Sequence, residues 1–478
     1  MTYPGQGDSG GQQWQPQQQP QQQWQQPQQQ WQQQWQQPYQ QWQQGPPTGG
    51  FPPVGYGQQP QKKSRRGLVI GLVVALVALV GGGATWLALS LSGSAGAASP
   101  GEAADTLMTA VQDGDVIGMM DSLAPAEASV LSDMVADYVA ELKRIEVLDP
   151  SADPENLTGI DIEATEELVF DDGRAKKVND HVTMAALTDG TLQLSGKFSE
   201  IPLAKSFKDA LIPPRAQAQL DQRSPNETLD IGAMVAKTSQ PIYIATVEVD
   251  GEWYPSLFHT IAHYALERSG EQWPATATPA VGASSPNEAV NALVEAIRTT
   301  DMQRAIELMP PDEMAALHDL GPLLIEKVNA QPESQQDLPF ELVKLETDEE
   351  EVSGGTRLTL RSLEVRITGG SGPSTMSLAK TGDCYTMTTD GQSQQMCAAD
   401  LAEQVRQEAG SHIPPQAVEP IIEIVQAFYT KSLGVVTTEV DGKHYVSPLR
   451  TYSDVGLTLL KSIEPEHIRA LIQAMQGR

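Results

Sequence analysis

The sequence predicts an α+β fold: two tandem homologous domains, each of helices followed by an antiparallel sheet. They are expected outside a membrane, behind one transmembrane helix and a disordered N-terminal tail. Three observations carry this expectation. A helix-opening motif recurs 186 residues apart, a hairpin motif recurs 191 residues apart, and the composition breaks near residues 62 and 92. The 478 residues suffice for two or three domains, each with its own core.

Residues 1–61 contain 27 Gln and a single charged residue, Asp8. Trp14, Trp24, Trp31, Trp35 and Trp42 punctuate Gln runs that Pro16, Pro20, Pro27 and Pro38 break. There is no aliphatic periodicity, so little surface can be buried to offset chain entropy. The segment is expected to be a disordered cytoplasmic tail. Trp in a polar spacer suits self-association or partner binding; a low-complexity extension without a specific partner fits the same composition.

A basic collar (62–67) follows, with Lys62, Lys63, Arg65 and Arg66. Leu68 to Leu91 is then an uncharged run of 24 residues. At about 1.5 Å rise per residue such a run exceeds a hydrocarbon core of about 30 Å. Bases on its N-terminal flank place the N-terminus in the cytoplasm and everything after Ser92 outside. Ala95-Gly96-Ala97 has the small-x-small form of a signal-peptide cleavage site. The apolar run is too long for a signal peptide, however, and a long tail precedes it, so a retained signal-anchor is the expectation.

The chain carries 61 acids against 31 bases, a formal charge of −30. Without Asp8 and the collar, the remainder has 60 acids and 27 bases, a net of −33. Such a balance excludes a nucleic-acid binder, which needs surplus Lys and Arg to neutralise phosphates. The densest acidic cluster, Glu346 to Glu351, reads as a solvated loop or strand edge. No calcium-binding loop of the D-x-D-x-D-G form is present.

The first repeat, 99–270, opens Ser99-Pro100-Gly101-Glu102-Ala103; the second, 285–478, opens Ser285-Pro286-Asn287-Glu288-Ala289. Each is a helix start: Ser caps, Pro takes the first helical position, and Glu closes a capping box. Apolar residues then recur at helical spacing (Ala103, Leu107, Ala110, Val111; Ala289, Leu293, Ala296, Ile297). The same offset carries Asp115 onto Asp301, both expected to cap a short second helix, and Glu127 onto Glu313. A long helix is expected over 126–145 and again over 312–328. β-like runs follow at 160–170, 178–187 and 356–367, and then helical stretches at 203–220, 401–407 and 420–429.

Each repeat closes with Asp-Gly between alternating residues, Asp250-Gly251 and Asp441-Gly442, the signal of a two-residue hairpin. Trp253-Tyr254 and His444-Tyr445 follow, and then a last apolar helix. Residues 271–284 read as a linker. The five-residue difference between the two offsets reads as a small insertion. These openings and hairpins together resemble NTF2-like or cystatin-like ectodomains of single-pass Gram-positive envelope proteins. The resemblance spans 99–270 and 285–465, and the extra helices before the last hairpin depart from its simplest form.

Cys384 and Cys397 are the only cysteines. With Asp390-Gly391 as a two-residue turn, the two cysteines stand directly opposite each other as a non-hydrogen-bonded pair. Their Cα atoms are then about 4.5 Å apart, within disulfide range. Outside the cytoplasm such a bridge persists.

Catalytic motifs are scarce. His259 and His263 have the i, i+4 spacing of a helical metal pair, but Thr260 stands where a zinc protease places its glutamate. Surface histidines fit the same spacing. No nucleophile elbow, P-loop or dinucleotide fingerprint is present, and no cofactor is expected. Trp253, Tyr254, His444 and Tyr445 are candidates for a pocket or groove wall, and read equally as hairpin core.

The functional expectation is a non-enzymatic, membrane-anchored envelope protein. Its exterior domains would bind a cell-wall or protein partner, and its tail a cytoplasmic one; the oligomeric state stays open. The alternatives are an NTF2-like enzyme with a pocket in one domain and a single-pass transmembrane sensor.

Overall fold

The structure is a computed structural model describing residues 96–112, 116–152, 160–212, 219–220, 226–331, 337–368, 373–409, 413–431 and 433–476. The tail 1–61, the collar 62–67, the run Leu68–Leu91 and Asp115 lie outside the described residues. The expected fold class needs a correction. Among the described residues no helix is long and apolar enough to cross a membrane. What is observed is α+β with two antiparallel sheets, without the added transmembrane helix.

The first repeat begins with α1 (Pro100–Gln112), α2 (Val116–Asp121) and α3 (Pro125–Arg144). Its sheet and remaining helices are β1 (Ile160–Phe170), β2 (Lys176–Lys177), β3 (Val182–Gly196), α4 (Lys205–Leu211), β4 (Asn226–Asp230), α5 (Ile231–Thr238), β5 (Ile242–Val249), β6 (Glu252–Pro255) and α6 (Leu257–Ser269). The second repeat begins with α7 (Pro286–Arg298), α8 (Met302–Glu307) and α9 (Ala315–Asn329). It continues with β7 (Phe340–Val352), β8 (Gly355–Ile367), β9 (Ser374–Thr381), β10 (Cys384–Thr389), β11 (Gln392–Cys397), α10 (Ala398–Ala409) and α11 (Pro415–Lys431). It ends with β12 (Gly434–Val440), β13 (Lys443–Val446), α12 (Pro448–Leu460) and α13 (Pro465–Gln476).

Local chemistry sets these boundaries. Ser99 Oγ accepts from the Glu102 amide at 3.3 Å, and Ser285 Oγ accepts from the Glu288 amide at 3.2 Å. The two glutamates reach back to the amides of Ala98 and Ser284, one residue further than a standard capping box. Asp301 caps α8 through the Arg304 amide at 2.9 Å. At the turns Asp250-Gly251, Asp390-Gly391 and Asp441-Gly442 both residues have positive φ, the type I′ geometry that fits the twist of a hairpin.

The two sheets share one plan. The central strand β3 pairs with β1 and β2 on one edge and with β4 and β5 on the other. Likewise β8 pairs with β7 on one edge and with β9 and β12 on the other. Thr246 stands opposite Thr183, and Thr437 opposite Thr356. The repeats are therefore offset by 173 along the central strands, less than the 186 of the openings or the 191 of the final hairpins. The net five-residue difference is thus a balance: the second repeat is shorter ahead of its central strand and longer after it. The second repeat's added elements include the β10–β11 hairpin, in which Cys384 and Cys397 pair and are disulfide-bonded. The Glu346–Glu351 acids lie on β7, whose far edge is unpaired among the described residues, where negative charge discourages further strand addition.

One core joins the repeats. Val135, Tyr138, Val139 and Leu142 of α3 pack with Leu203 and Phe207 around α4, with Leu457 and Leu460 of α12, and with Ile468 of α13. The helix α13, absent from the sequence expectations, stands where the first repeat has only the linker.

Candidate functional site

Two places concentrate unusual chemistry: an apolar cleft in the second repeat, and a pair of buried polar junctions between the repeats. The cleft, of about 630 Å³, lies between α7 and the face of the second sheet. Val290, Val294, Leu345, Leu360, Val365 and Leu433 line it, and Thr347 is the one residue with a polar side chain among its lining. In the first repeat, strand register places Leu168, Leu187, Leu192 and Ile242 where Leu345, Leu360, Val365 and Leu433 stand. Those four pack against Ile231 and Val235 of α5, which fill the equivalent space.

The difference begins at one residue. Asp230 ends β4 and caps α5, its Oδ1 accepting from the Ala233 amide at 2.7 Å. Its counterpart in the second repeat is Ser377, which stays in the ladder opposite Glu364 and Thr388. The chain there runs on into the disulfide hairpin, so no helix follows β9 directly as α5 follows β4. Leu433 is consequently 52% exposed.

The junctions are built from matched residues. In the first, Ser256 caps α6 and donates from Oγ to Glu127, at the start of α3. Glu127 also accepts from the Leu257 amide at 2.7 Å. His259 Nδ1 lies 2.7 Å from Ser256 Oγ, and its Nε2 lies 3.1 Å from Asp319 Oδ2, on α9 of the other repeat. His181, just before β3, brings its own Nε2 to the same oxygen at 3.0 Å.

In the second junction Ser447 caps α12 and donates to Glu313 at 2.6 Å. Arg450 bonds Glu313 at 2.6 Å through Nε and Asp133, on α3 of the first repeat, at 2.8 Å through Nη1. Glu127 and Glu313, Ser256 and Ser447, and Asp133 and Asp319 are equivalent pairs, so each repeat lends its aspartate to the other. The basic side chain is what differs: His259 stands where the second repeat has Arg450.

Electrostatics follow from burial. Burial raises the Glu127 carboxyl above its ordinary value, against the Ser256 hydrogen bond, the nearby His259 and the backbone amides that lower it. At Asp319 burial also opposes ionisation, but the hydrogen bonds and charges of His181 and His259 outweigh it and hold the carboxyl low. The hydrogen bond to Asp319 in turn raises His181.

Of the residues singled out from sequence, His259 belongs to the first junction. His263, one turn on, turns instead toward the Tyr243 and Tyr264 rings, each 5.4 Å away. Tyr254 and Tyr445 are buried, their rings against Gly96 and Gly282, where a Cβ would come within 2.6 and 2.8 Å. Trp253 and His444 bridge to Ala97 and Ala283 in the strand leading into each repeat. None of these four lines the apolar cleft, although His444 borders a separate polar cavity with Glu349, Glu351 and Glu439. His181, Asp133 and Asp319 were not foreseen. The offset of 186 joining Asp133 to Asp319 was the available signal.

Fold and site thus define a duplicated α+β chain with one sheet per repeat and a shared polar junction. No family model, curated protein or solved structure matches it.

Proposed function

We propose that the chain is a non-enzymatic binding protein working outside the cytoplasm, and that its second repeat receives a short aliphatic helix of a protein partner. One observation carries this: the cleft coincides with the place that Ile231 and Val235, one helical turn apart, fill in the first repeat. A site that the fold normally closes with a helix is shaped for a helix. Apolar contact would supply the affinity, and the i, i+4 spacing of the anchors would supply the specificity. No acid or base is among the described lining residues, so the cleft offers binding rather than proton transfer. The Cys384–Cys397 bridge supports a compartment where disulfides persist. The resemblance to NTF2-like ectodomains is compatible with this reading and is not needed for it.

The test uses a synthetic peptide of residues 226–240, which contains α5, as the probe against the full-length chain. Binding followed by fluorescence anisotropy is expected to weaken at least tenfold in Val294→Glu and in Leu360→Glu. Equal binding by folded variants, or uptake of a C12 fatty acid without uptake of the peptide, would overturn the proposal.

A further inference from the structure

We infer that His181, His259 and Asp319 form a binding site for a divalent transition-metal ion of the zinc class, clasping the two repeats together. The three donor atoms lie within 4.8 Å of one another and come from three separate elements: the approach to β3, the body of α6, and α9 of the other repeat. Two imidazole nitrogens and a carboxylate oxygen are a donor set that zinc accepts, with a water in the fourth position.

Hydrogen accounting points the same way. The single hydroxyl proton of Ser256 goes to Glu127, and its Oγ accepts from the backbone amide of His259. The remaining partner of that Oγ, His259 Nδ1, therefore carries a proton, and in a neutral ring Nε2 presents a lone pair to the Asp319 oxygen. A lone pair facing a carboxylate at 3.1 Å is repulsive, and either a proton on Nε2 or a metal ion between the two relieves it. Ser256 and Glu127 then act as the outer support that orients a ligating imidazole. Trp273 stacks on the His259 ring with 5.9 Å between centroids and covers it.

The second junction supplies an independent argument. At the equivalent place a permanent cation, Arg450, sits between Glu313 and Asp133. The architecture thus calls for positive charge between two acids, one of them the buried Glu313. The second repeat builds that charge into a side chain, whereas the first presents ligands for an ion. Access is provided too: the His181 side chain is 48% exposed, while those of His259 and Asp319 are only 1% and 4% exposed.

The experiment takes full-length, tag-free protein stripped with a chelator and titrates it with zinc chloride, following heat release and the melting temperature. Binding of one equivalent with a rise in melting temperature is expected. His181→Ala, at the half-exposed ligand, should fold as the parent does without metal, bind zinc at least tenfold more weakly and lose the rise. His467→Ala, far from the cluster in sequence and paired to Glu423, should keep both. Cobalt(II) should give the absorption of a four-coordinate site in the parent and not in His181→Ala. Absence of zinc binding by the parent, or equal binding by parent and His181→Ala, would leave a proton as the only cation there and overturn the inference.

Discussion

At the scale of single residues, the second junction is a buried charge network whose members depend on one another. Removing Arg450 would leave Glu313 and Asp133 facing each other without their cation, a situation that costs about 3–5 kcal/mol. Arg450→Met is therefore expected to lower stability by that amount in urea unfolding, and a loss below about 1 kcal/mol would show that water already screens the pair. Gly354 is tied to the same arginine. It has a φ of +72°, and a Cβ there would lie 1.7 Å from Arg450 Nη1, so Gly354→Ala should mimic part of the defect. Tyr138 reports on the interface in another way. Its hydroxyl donates to the Ser453 carbonyl across the repeats, and burial foremost pushes its pKa up to about 12 from 10.0. A folded pKa above the unfolded one gives stability that is whole below pH 10 and is lost as pH rises toward 12. Tyr138→Phe should flatten the decline over that alkaline window, as thermal melts at stepped pH would reveal. The sequence displayed the matched glutamates and serines. It did not display their purpose, because an acid at or just before the start of a helix reads first as a solvated charge.

At the scale of elements, the sheets and their turns were legible. The strand expected at 160–170 is β1 with the same bounds, and the facing cysteines followed from counting back along a two-residue turn. Legibility failed where one repeat folds differently from the other. The strand β4 and the helix α5 are short, and Asp230, through its side-chain cap, marks the turn into helix where the second repeat continues as strand. That difference decides which repeat has a cleft. Replacing both Ile231 and Val235 with Ala should reopen the equivalent space in the first repeat, at about 2–5 kcal/mol per large aliphatic lost. The polar-facing substitution Val294→Glu in the existing cleft should cost far less, since its surroundings are already open to solvent. Chemical denaturation of the two variants side by side would separate these cases; similar losses would mean that the cleft is closed in solution.

At the scale of the whole molecule, the repeats are not beads on a string. Helix α3 packs on α12, α9 packs on α6, and Arg144 at the end of α3 donates to the Leu460 and Ile463 carbonyls at 3.0 and 2.7 Å. The core around Leu142 is completed only by Leu457, Leu460 and Ile468 from the far end of the chain. A single cooperative thermal transition is expected for residues 96–476. Truncation after Glu464, which removes α13, should raise amide exchange in α3 and α4 of the first repeat. Exchange confined to the second repeat would show that the shared core is not what holds the first together.

The reciprocal loan of aspartates has a consequence for assembly. Asp133 serves Arg450 while Asp319 serves His259, so each half offers the other the same patch that it receives. That is the pattern of an isologous interface, in which two copies satisfy each other and leave no complementary surface exposed. A duplicated chain whose halves joined head to tail would carry an open end and could grow into a filament. This one closes after two units, and the covalent link between them makes that closure independent of concentration.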